Sequence, residues 1–421
     1  MPDPNIQGLV EGLFAPDRAY ECGRRLNLED LAPSALPYLL AAMRDPRVTS
    51  GVTLDNGFLN YQAPLISISG LLGKSGSPEA AAPLLDLLNH PEARVREHIG
   101  MCLAELAQPN CIEAVTQLLA SDDREVRQWA MCGIGHALNG KLAAPEFLQA
   151  IWPCLVPLLR LEDRFGFGYA PKLVAQIDAV SAASILLDAK VLSLDNPLLE
   201  RVIEALNESQ IPIPHEILLP LIAQLEPVAH EHPRDSQLAE ALLAYARNPD
   251  AGTESRLRGF LHSSSESLQA GSAKALASFY GIEDQHSKLC DLENEKGIAA
   301  LTDAERNYFT ASIYYYEIMN GGPWQYIGNS TADYHVQIIE GLRAIGAHNT
   351  AQVLVELGRV FGPSGPSANR GLRNDQADAF TEQQAGAIGC LYEEFPSAGE
   401  NIEMLLDLYA AANAADFPHC K

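Results

Sequence analysis

Two His-Glu dipeptides, His215-Glu216 and His230-Glu231, carry the residue types that bind metals or transfer protons. They lie 15 residues apart between prolines. The run His230-Glu231-His232 does not supply the i, i+4 histidine pair that a helix presents to zinc. The chain also lacks a His-Glu-x-x-His motif, a Gly-x-Ser-x-Gly elbow and a complete phosphate-binding loop. We therefore predict no metal, no cofactor and no catalytic residue.

Carboxylates at helical spacing are the second group of candidate functional residues, because they could bind a basic protein. Two sets recur at i, i+3 and i+7, positions that share one face of a helix with neighbours about 5–6 Å apart. The candidate partner-binding residues are Asp375, Asp378, Glu382, Glu393, Glu394, Glu400, Glu403 and Asp407. Such a row could stand in for the phosphates of duplex DNA, which lie about 3.4 Å apart along each strand. The alternative is an ordinary solvated helix face.

The charge balance favours a basic partner over nucleic acid or a membrane. Across 421 residues there are 54 Asp and Glu against 29 Lys and Arg, giving a formal net charge of −25 and a pI near 4.7. Such a surface repels phosphates and steers basic surfaces towards it. Residues 291–421 hold 18 acidic and 7 basic residues, a denser negative charge than the part before them. The simpler interpretation is an acidic protein whose charge serves solubility.

Length and composition indicate several domains or a repeat array, expected in the cytoplasm. The chain is 47% hydrophobic, enough for a sizeable core. Its first residues do not resemble a signal peptide, and it has no apolar run of about 20 residues. The eight cysteines are scattered without a Cys-x-x-Cys pair, which favours free thiols in a reducing compartment.

The stretch YYYEIMNGGPWQYIGNS, residues 314–330, concentrates aromatic side chains in a chain that is only 7% aromatic. Its Asn-Gly-Gly-Pro run predicts the end of one helix and the start of another, since Gly adopts positive φ and Pro suits a first helical turn. The aromatic rings could form a plug that fixes two helices at an angle, or a site that stacks a ligand. The residues concerned are Tyr315, Asn320, Gly321, Gly322, Trp324, Gln325, Tyr326, Asn329 and Ser330.

The elements that position these residues are predicted to be helices throughout, beginning with an internal repeat. Residues 84–106 align with residues 115–138 at an offset of 31, matching a Leu-Leu pair, a short polar turn and a Val-Arg step. This pattern resembles the HEAT-repeat family, and weaker matches to it occur across the first two-thirds of the chain. The resemblance implies an α-solenoid with a concave face, since one helix pair cannot cover its own apolar surface.

A polar, acidic segment at residues 282–296 predicts a domain boundary. We expect a HEAT-like solenoid over residues 1–282 and an acidic helical domain over residues 291–421. Thr302 is a predicted N-cap, and Glu305 three residues later completes a capping box. The segment from 375 to 395 is read as one helix, followed by a last helix near the C-terminal end.

The second region resembles the bacterial DNA-mimic-protein family. The resemblance rests on the aromatic helix, the Asn320-Gly321-Gly322 turn with Trp324 and Gln325, and the Ile-Gly-Ala step at residues 345–347. Pro323 and the long HEAT-like region ahead of it depart from the family pattern. The resemblance implies an acidic helical domain that imitates DNA and occupies the DNA-binding surface of a regulator.

The sequence therefore predicts an all-α protein, a HEAT-like α-solenoid followed by a compact DNA-mimic-type domain. The leading functional hypothesis is a non-enzymatic protein that binds a basic protein, namely a DNA-binding transcription regulator. One alternative is a HEAT-type scaffold or immunity protein that holds one partner in its concave groove. A second alternative is an enzyme with a site in an interdomain cleft, which requires clustered polar groups with shifted pKa values in a pocket.

Overall fold

The computed structural model describes residues 4–28, 32–50, 53–161, 169–283, 285–397 and 399–420, and a few of these residues only through their backbone. The described residues form α-helices with one two-stranded hairpin, which confirms the predicted all-α class. The chain divides into two compact units, residues 1–211 and residues 212–421. The predicted boundary near 282–291 lies inside the second unit, and the predicted domain limits stay a prediction. None of the described helices is both long and apolar enough to cross a membrane.

Helices α1 to α13 belong to the first unit. Their bounds are α1 Pro4–Gly12, α2 Ala19–Leu28, α3 Ala32–Ala42, α4 Pro46–Ser50, α5 Pro64–Gly73, α6 Ala81–Leu87, α7 Ala93–Leu106, α8 Ile112–Leu119, α9 Arg124–Asn139, α10 Pro145–Leu155, α11 Tyr169–Ile177, α12 Ala179–Leu186 and α13 Leu199–Glu208. Strands β1 (Leu54–Asp55) and β2 (Phe58–Leu59) pair antiparallel. Asn56 and Gly57 join the strands with positive φ, the conformation that an Asn-Gly hairpin turn requires.

The repeated Val-Arg step has the same structural role in both copies. In α7, the Arg96 guanidinium donates hydrogen bonds to the carbonyl oxygens of His90 (2.7 Å) and Pro91 (2.8 Å). In α9, Arg127 donates in the same way to the carbonyl oxygens of Ser121 and Asp122, 31 residues further on. Each arginine therefore satisfies the carbonyl groups of the turn that precedes its own helix. This geometry accounts for the most regular part of the sequence repeat.

The second helices of successive pairs stack, with α7 packed between α5 and α9. Gly133 lies in the α7–α9 contact, where a Cβ atom would overlap the carbonyl oxygen of Met101 and lie 2.8 Å from the Cβ of Ala104. Arg94 of α7 also forms an ion pair with Glu125 of α9. The close approach of two helix backbones thus depends on a residue without a side chain.

Substituting Gly133 by alanine is expected to destabilise the first unit by about 1–3 kcal/mol, because the added methyl meets a fixed backbone. Gly135→Ala, two residues along the same helix, is the matched control, since its Cβ would meet only Leu173 at 3.9 Å. That change should be neutral or stabilise by up to about 1 kcal/mol, because alanine favours helix. Urea unfolding followed by circular dichroism measures both changes. Equal effects of the two substitutions would contradict the packing argument.

Helices α14 to α24 belong to the second unit. Their bounds are α14 His215–Leu225, α15 Arg234–Arg247, α16 Thr253–Phe260, α17 Glu266–Phe279, α18 Gln285–Lys296, α19 Asp303–Gly328, α20 His335–Ala344, α21 His348–Val360, α22 Arg370–Asp378, α23 Glu382–Ser397 and α24 Ile402–Ala412. A 3₁₀ helix over Ser330–Tyr334 separates α19 from α20. The core of this unit surrounds α19, whose apolar side chains are buried against α18, α20, α23 and α24.

Helix α19 begins and bends where the sequence predicts. The hydroxyl of Thr302 accepts a hydrogen bond from the amide of Glu305, and the Glu305 carboxylate accepts one from the amide of Thr302, which confirms the capping box. Gly322 has φ 70° and ψ −169° inside α19, and Pro323 follows it. The helix therefore stops and restarts at this point, as the Gly-Gly-Pro sequence requires.

Candidate functional site

The acidic residues 375 to 382 lie on two helices rather than one. Asp375 and Asp378 belong to the last turns of α22, and Glu382 to the first turn of α23. The helix breaks because the Thr381 hydroxyl accepts a hydrogen bond from the amide of Gln384, whose side-chain oxygen accepts one from the amide of Thr381. This second capping box makes the predicted single helix over residues 375–395 wrong.

The three carboxylates at this break are exposed. Asp375, Asp378 and Glu382 make no ion pair or hydrogen bond with any residue that the structure describes. Their negative charge is therefore not neutralised by any residue that the structure describes. Glu393 and Glu394 are part of α23, and their side chains lie outside the described residues.

An exposed tryptophan lies beside the same break. The side chain of Trp324 is 47% exposed, and its ring lies 6.4 Å from that of Phe380, which packs edge-on against Phe361 at 4.9 Å. Phe380 stands two residues from Asp378 and two from Glu382 in the chain. A large aromatic side chain next to unpaired charges is a common anchor in protein interfaces.

The second acidic set has other contacts. Glu400 accepts hydrogen bonds from the backbone amides of Asn349 (2.9 Å) and Thr350 (2.8 Å), so it caps the N-terminus of α21. Glu403 is exposed, whereas Asp407 is partly buried. Burial and the neighbouring Glu403 raise the pKa of Asp407 to about 7 against the opposing charge of Lys274. These three residues therefore differ in environment although they share a helical spacing.

Two arginines that the sequence pattern did not single out as site residues hold the end of α19. Arg373 is fully buried and donates hydrogen bonds to the carbonyl oxygens of Ile327 (2.8 Å) and Asn329 (2.5 Å) and to the carboxylate of Asp333 (2.7 Å). Arg370 donates to the carbonyl oxygen of Gly328 at 2.7 Å. Three consecutive carbonyl groups at the end of α19 are thus paired with side chains from α22.

The polar residues of the aromatic stretch close the bend around Glu317. Its carboxylate accepts hydrogen bonds from the side chains of Gln325 (2.6 Å), Asn329 (2.6 Å) and Thr331 (2.9 Å). A Cβ atom at Gly321 would overlap the Gln325 amide, so this glycine leaves room for the contact. The geometry is that of a fixed helix bend, which favours the structural interpretation of these residues.

The aromatic residues of the stretch are divided between core and surface. Tyr314 and Tyr326 are buried and pack edge-on at 5.2 Å. The Tyr326 hydroxyl lies 2.9 Å from Nδ1 of His335, which is also buried. Burial, with a smaller effect of the Arg373 charge, lowers the pKa of His335 to about 4. Among the other predicted residues, Gly322 is buried, Tyr315 is half-buried, and Asn320 and Ser330 are exposed.

The His-Glu pairs do not come together. Nε2 of His215 lies 2.6 Å from the carbonyl oxygen of Asn248, while His230 and Glu231 lie at the surface next to each other. Among the residues described, no three His, Cys, Asp or Glu side chains are grouped so that they could hold a metal ion.

Comparison with known families matches both regions. Residues 67–135 match the family described as HEAT repeats, and residues 299–413 match the family described as DMP19-like protein. Both predicted resemblances are confirmed, and both families are of non-catalytic scaffold or mimic type. No curated protein matches the chain. Among solved structures, the chain is similar to the crystal structure of an engineered protein. The alignment covers 92% of this chain and 98% of the engineered chain, at 16% sequence identity and a TM-score of 0.35.

Proposed function

We propose that this chain is a non-catalytic, acidic protein-binding protein whose DMP19-like domain occupies the DNA-binding surface of a basic transcription regulator. The observation that carries the proposal is the group of unpaired, exposed carboxylates Asp375, Asp378 and Glu382 at the α22–α23 break, beside the exposed ring of Trp324. The charges would replace phosphates, and the ring would supply the apolar anchor that charge alone lacks.

The charge distribution supports a basic partner. Like-charged residues at an interface rim raise the association rate for an oppositely charged protein and lower it for other proteins. A formal charge of −25 on the chain extends this effect beyond the contact itself. The HEAT repeats would then act as a scaffold that presents or orients the domain.

The test replaces Asp375, Asp378 and Glu382 together by lysine and measures binding to the basic regulator captured by the wild-type chain. Affinity is expected to fall by about a hundredfold or more, since each reversed contact replaces attraction by repulsion. Raising the salt concentration from roughly 50 to 500 mM should weaken the wild-type complex steeply, because exposed charges are screened. Duplex DNA should compete with the wild-type chain for the same regulator.

A matched control carries the same change in net charge elsewhere. Glu79, Asp86 and Glu113 are exposed on the HEAT-repeat side of the chain, and their reversal to lysine should leave affinity within about threefold. A complex that is insensitive to salt, or that duplex DNA does not displace, would rule out mimicry. Loss of binding in the control set alone would favour the scaffold function instead.

A further inference from the structure

A cleft of about 510 Å³ opens in the second unit, away from the bend at residues 320–330. Residues of α15, α17, α19 and α24 and of the start of α18 line it. The volume lies within the range of natural ligand sites. Its floor is apolar, with Leu243, Ala277 and Leu406 among the lining residues.

Helices α19 and α24 present hydrogen-bonding groups to the cleft. Tyr308 is only 6% exposed, yet its hydroxyl makes no hydrogen bond with any residue in the described ranges. The hydroxyl oxygen itself is accessible to solvent in the cleft, so it can accept a hydrogen bond from a ligand. Asp407 receives one long hydrogen bond, 3.5 Å from the amide of Gln285, and Glu403 receives none from the described residues.

An aromatic surface adjoins these carboxylates. Tyr316 is 45% exposed, and its ring packs on that of His286 with centroids 4.4 Å apart. The Nδ1 atom of His286 lies 2.9 Å from the hydroxyl of Ser312, which fixes the imidazole as a support for the tyrosine ring. Planar cations bind well on such a ring when carboxylates take up their N–H groups.

The charges within the cleft favour a cation. Arg247 pairs with Glu283 at 2.7 Å and so adds no net charge. Lys274 is exposed, and its positive charge opposes the rise in the pKa of Asp407 that burial causes. Glu403 and Asp407 together outnumber Lys274, and the acidic chain around them adds to the same potential.

We propose that this cleft is a recognition site for the guanidinium group of an arginine side chain. The planar group stacks on Tyr316, donates to the carboxylates of Glu403 and Asp407, and places an N–H group next to the hydroxyl oxygen of Tyr308. This inference rests on the proposed function, because the arginine would belong to the basic partner. It adds to that function a binding site for one side chain of the partner.

The test titrates the full chain with N-acetyl-arginine amide and, in parallel, with N-acetyl-citrulline amide, which has the same shape without the charge. Isothermal calorimetry in two buffers of different ionisation enthalpy measures affinity and proton release. The arginine probe is expected to bind at least about tenfold more tightly than citrulline. It should release a fraction of a proton at pH 7, because a bound cation favours the ionised form of Asp407.

Variants of the full chain decide whether the cleft is the site. Asp407→Asn and Tyr316→Leu should each weaken arginine binding by about tenfold, whereas Glu340→Gln, at an exposed residue of α20 outside the cleft, should leave it unchanged. Lys274→Met should tighten it, since a repelling charge is removed. Weaker arginine binding in the Lys274→Met variant would contradict the charge argument and overturn the proposal, as would equal binding of citrulline or no binding of arginine.

The outcomes separate this inference from the proposed function. If the cleft variants bind the regulator as the wild type does while the Asp375, Asp378 and Glu382 reversal abolishes the complex, the cleft inference fails and the proposed function stands. If the arginine probe binds in the cleft but duplex DNA does not compete for the regulator, the proposed function fails and the cleft inference stands.

Discussion

Replacing Arg373 by methionine is expected to destabilise the DMP19-like domain by about 3–5 kcal/mol. The guanidinium is fully buried and pairs with Asp333 and with carbonyl groups at the end of α19. Methionine fills the volume but leaves those groups without a donor, and an unpaired buried acceptor is costly. Hydrogen exchange of the amides in α19 and α22, followed by mass spectrometry, measures the change.

Arg370→Met is the matched control. Arg370 is exposed and donates one hydrogen bond, to the carbonyl oxygen of Gly328, so its loss should destabilise by only about 0.5–1.5 kcal/mol. Amides of α7 and α9, in the other compact unit, serve as an internal reference that neither change should affect. If both arginine variants exchange at the same rate, Arg373 does not have the role inferred from its burial.

Acidification is expected to remove about 3 kcal/mol of folding free energy through His335 alone. The pKa of this group is about 4 in the folded chain and about 6.5 in an unfolded one. As the pH falls below about 6.5, His335 becomes protonated in the unfolded state while it stays neutral in the folded state. Its contribution to stability is therefore present above that pH and is lost as the pH approaches 4. The cause is the burial of the imidazole against Tyr326.

The measurement compares wild type with His335→Gln by urea unfolding between about pH 7 and pH 4. The stability difference between the two chains should shrink by about 3 kcal/mol over that interval. Comparing the two chains cancels groups of opposite sign, such as Asp407, whose raised pKa favours the folded state at low pH. A flat difference for His335→Gln would show that this histidine does not titrate as inferred.

The helical class, the HEAT pair and the bend in α19 could be predicted because each follows from local chemistry. The Val-Arg step recurs because each arginine satisfies the turn beside it, and the Thr302 capping box needs only residues three positions apart. The bend follows from Gly322 and Pro323. Such rules act within one or two turns of the chain, so a single sequence contains them.

The parts that could not be predicted depend on distant contacts. An arginine is normally a surface residue, so nothing in the sequence marks Arg373 as buried at the end of a helix 46 residues earlier. Glu400 fits a helical row of acids, but it caps α21 across 50 residues. The break at Thr381 has a local sequence signal, the Thr-x-x-Gln capping box. The prediction of one continuous helix over residues 375–395 does not take this signal into account.

Helix α19 also sets the order in which the chain can complete its folds during synthesis. The Glu305 carboxylate at its start accepts hydrogen bonds from the backbone amide and ring of His419, and the Thr302 hydroxyl donates to the carbonyl of Asp416, each across 114 residues. The HEAT contact between Arg94 and Glu125 spans 31 residues. Repeats of that kind can form one after another as they leave the ribosome. The contacts at the start of α19 can form only after residues 416–420 have emerged, so this part of the fold closes later than the repeat contacts do.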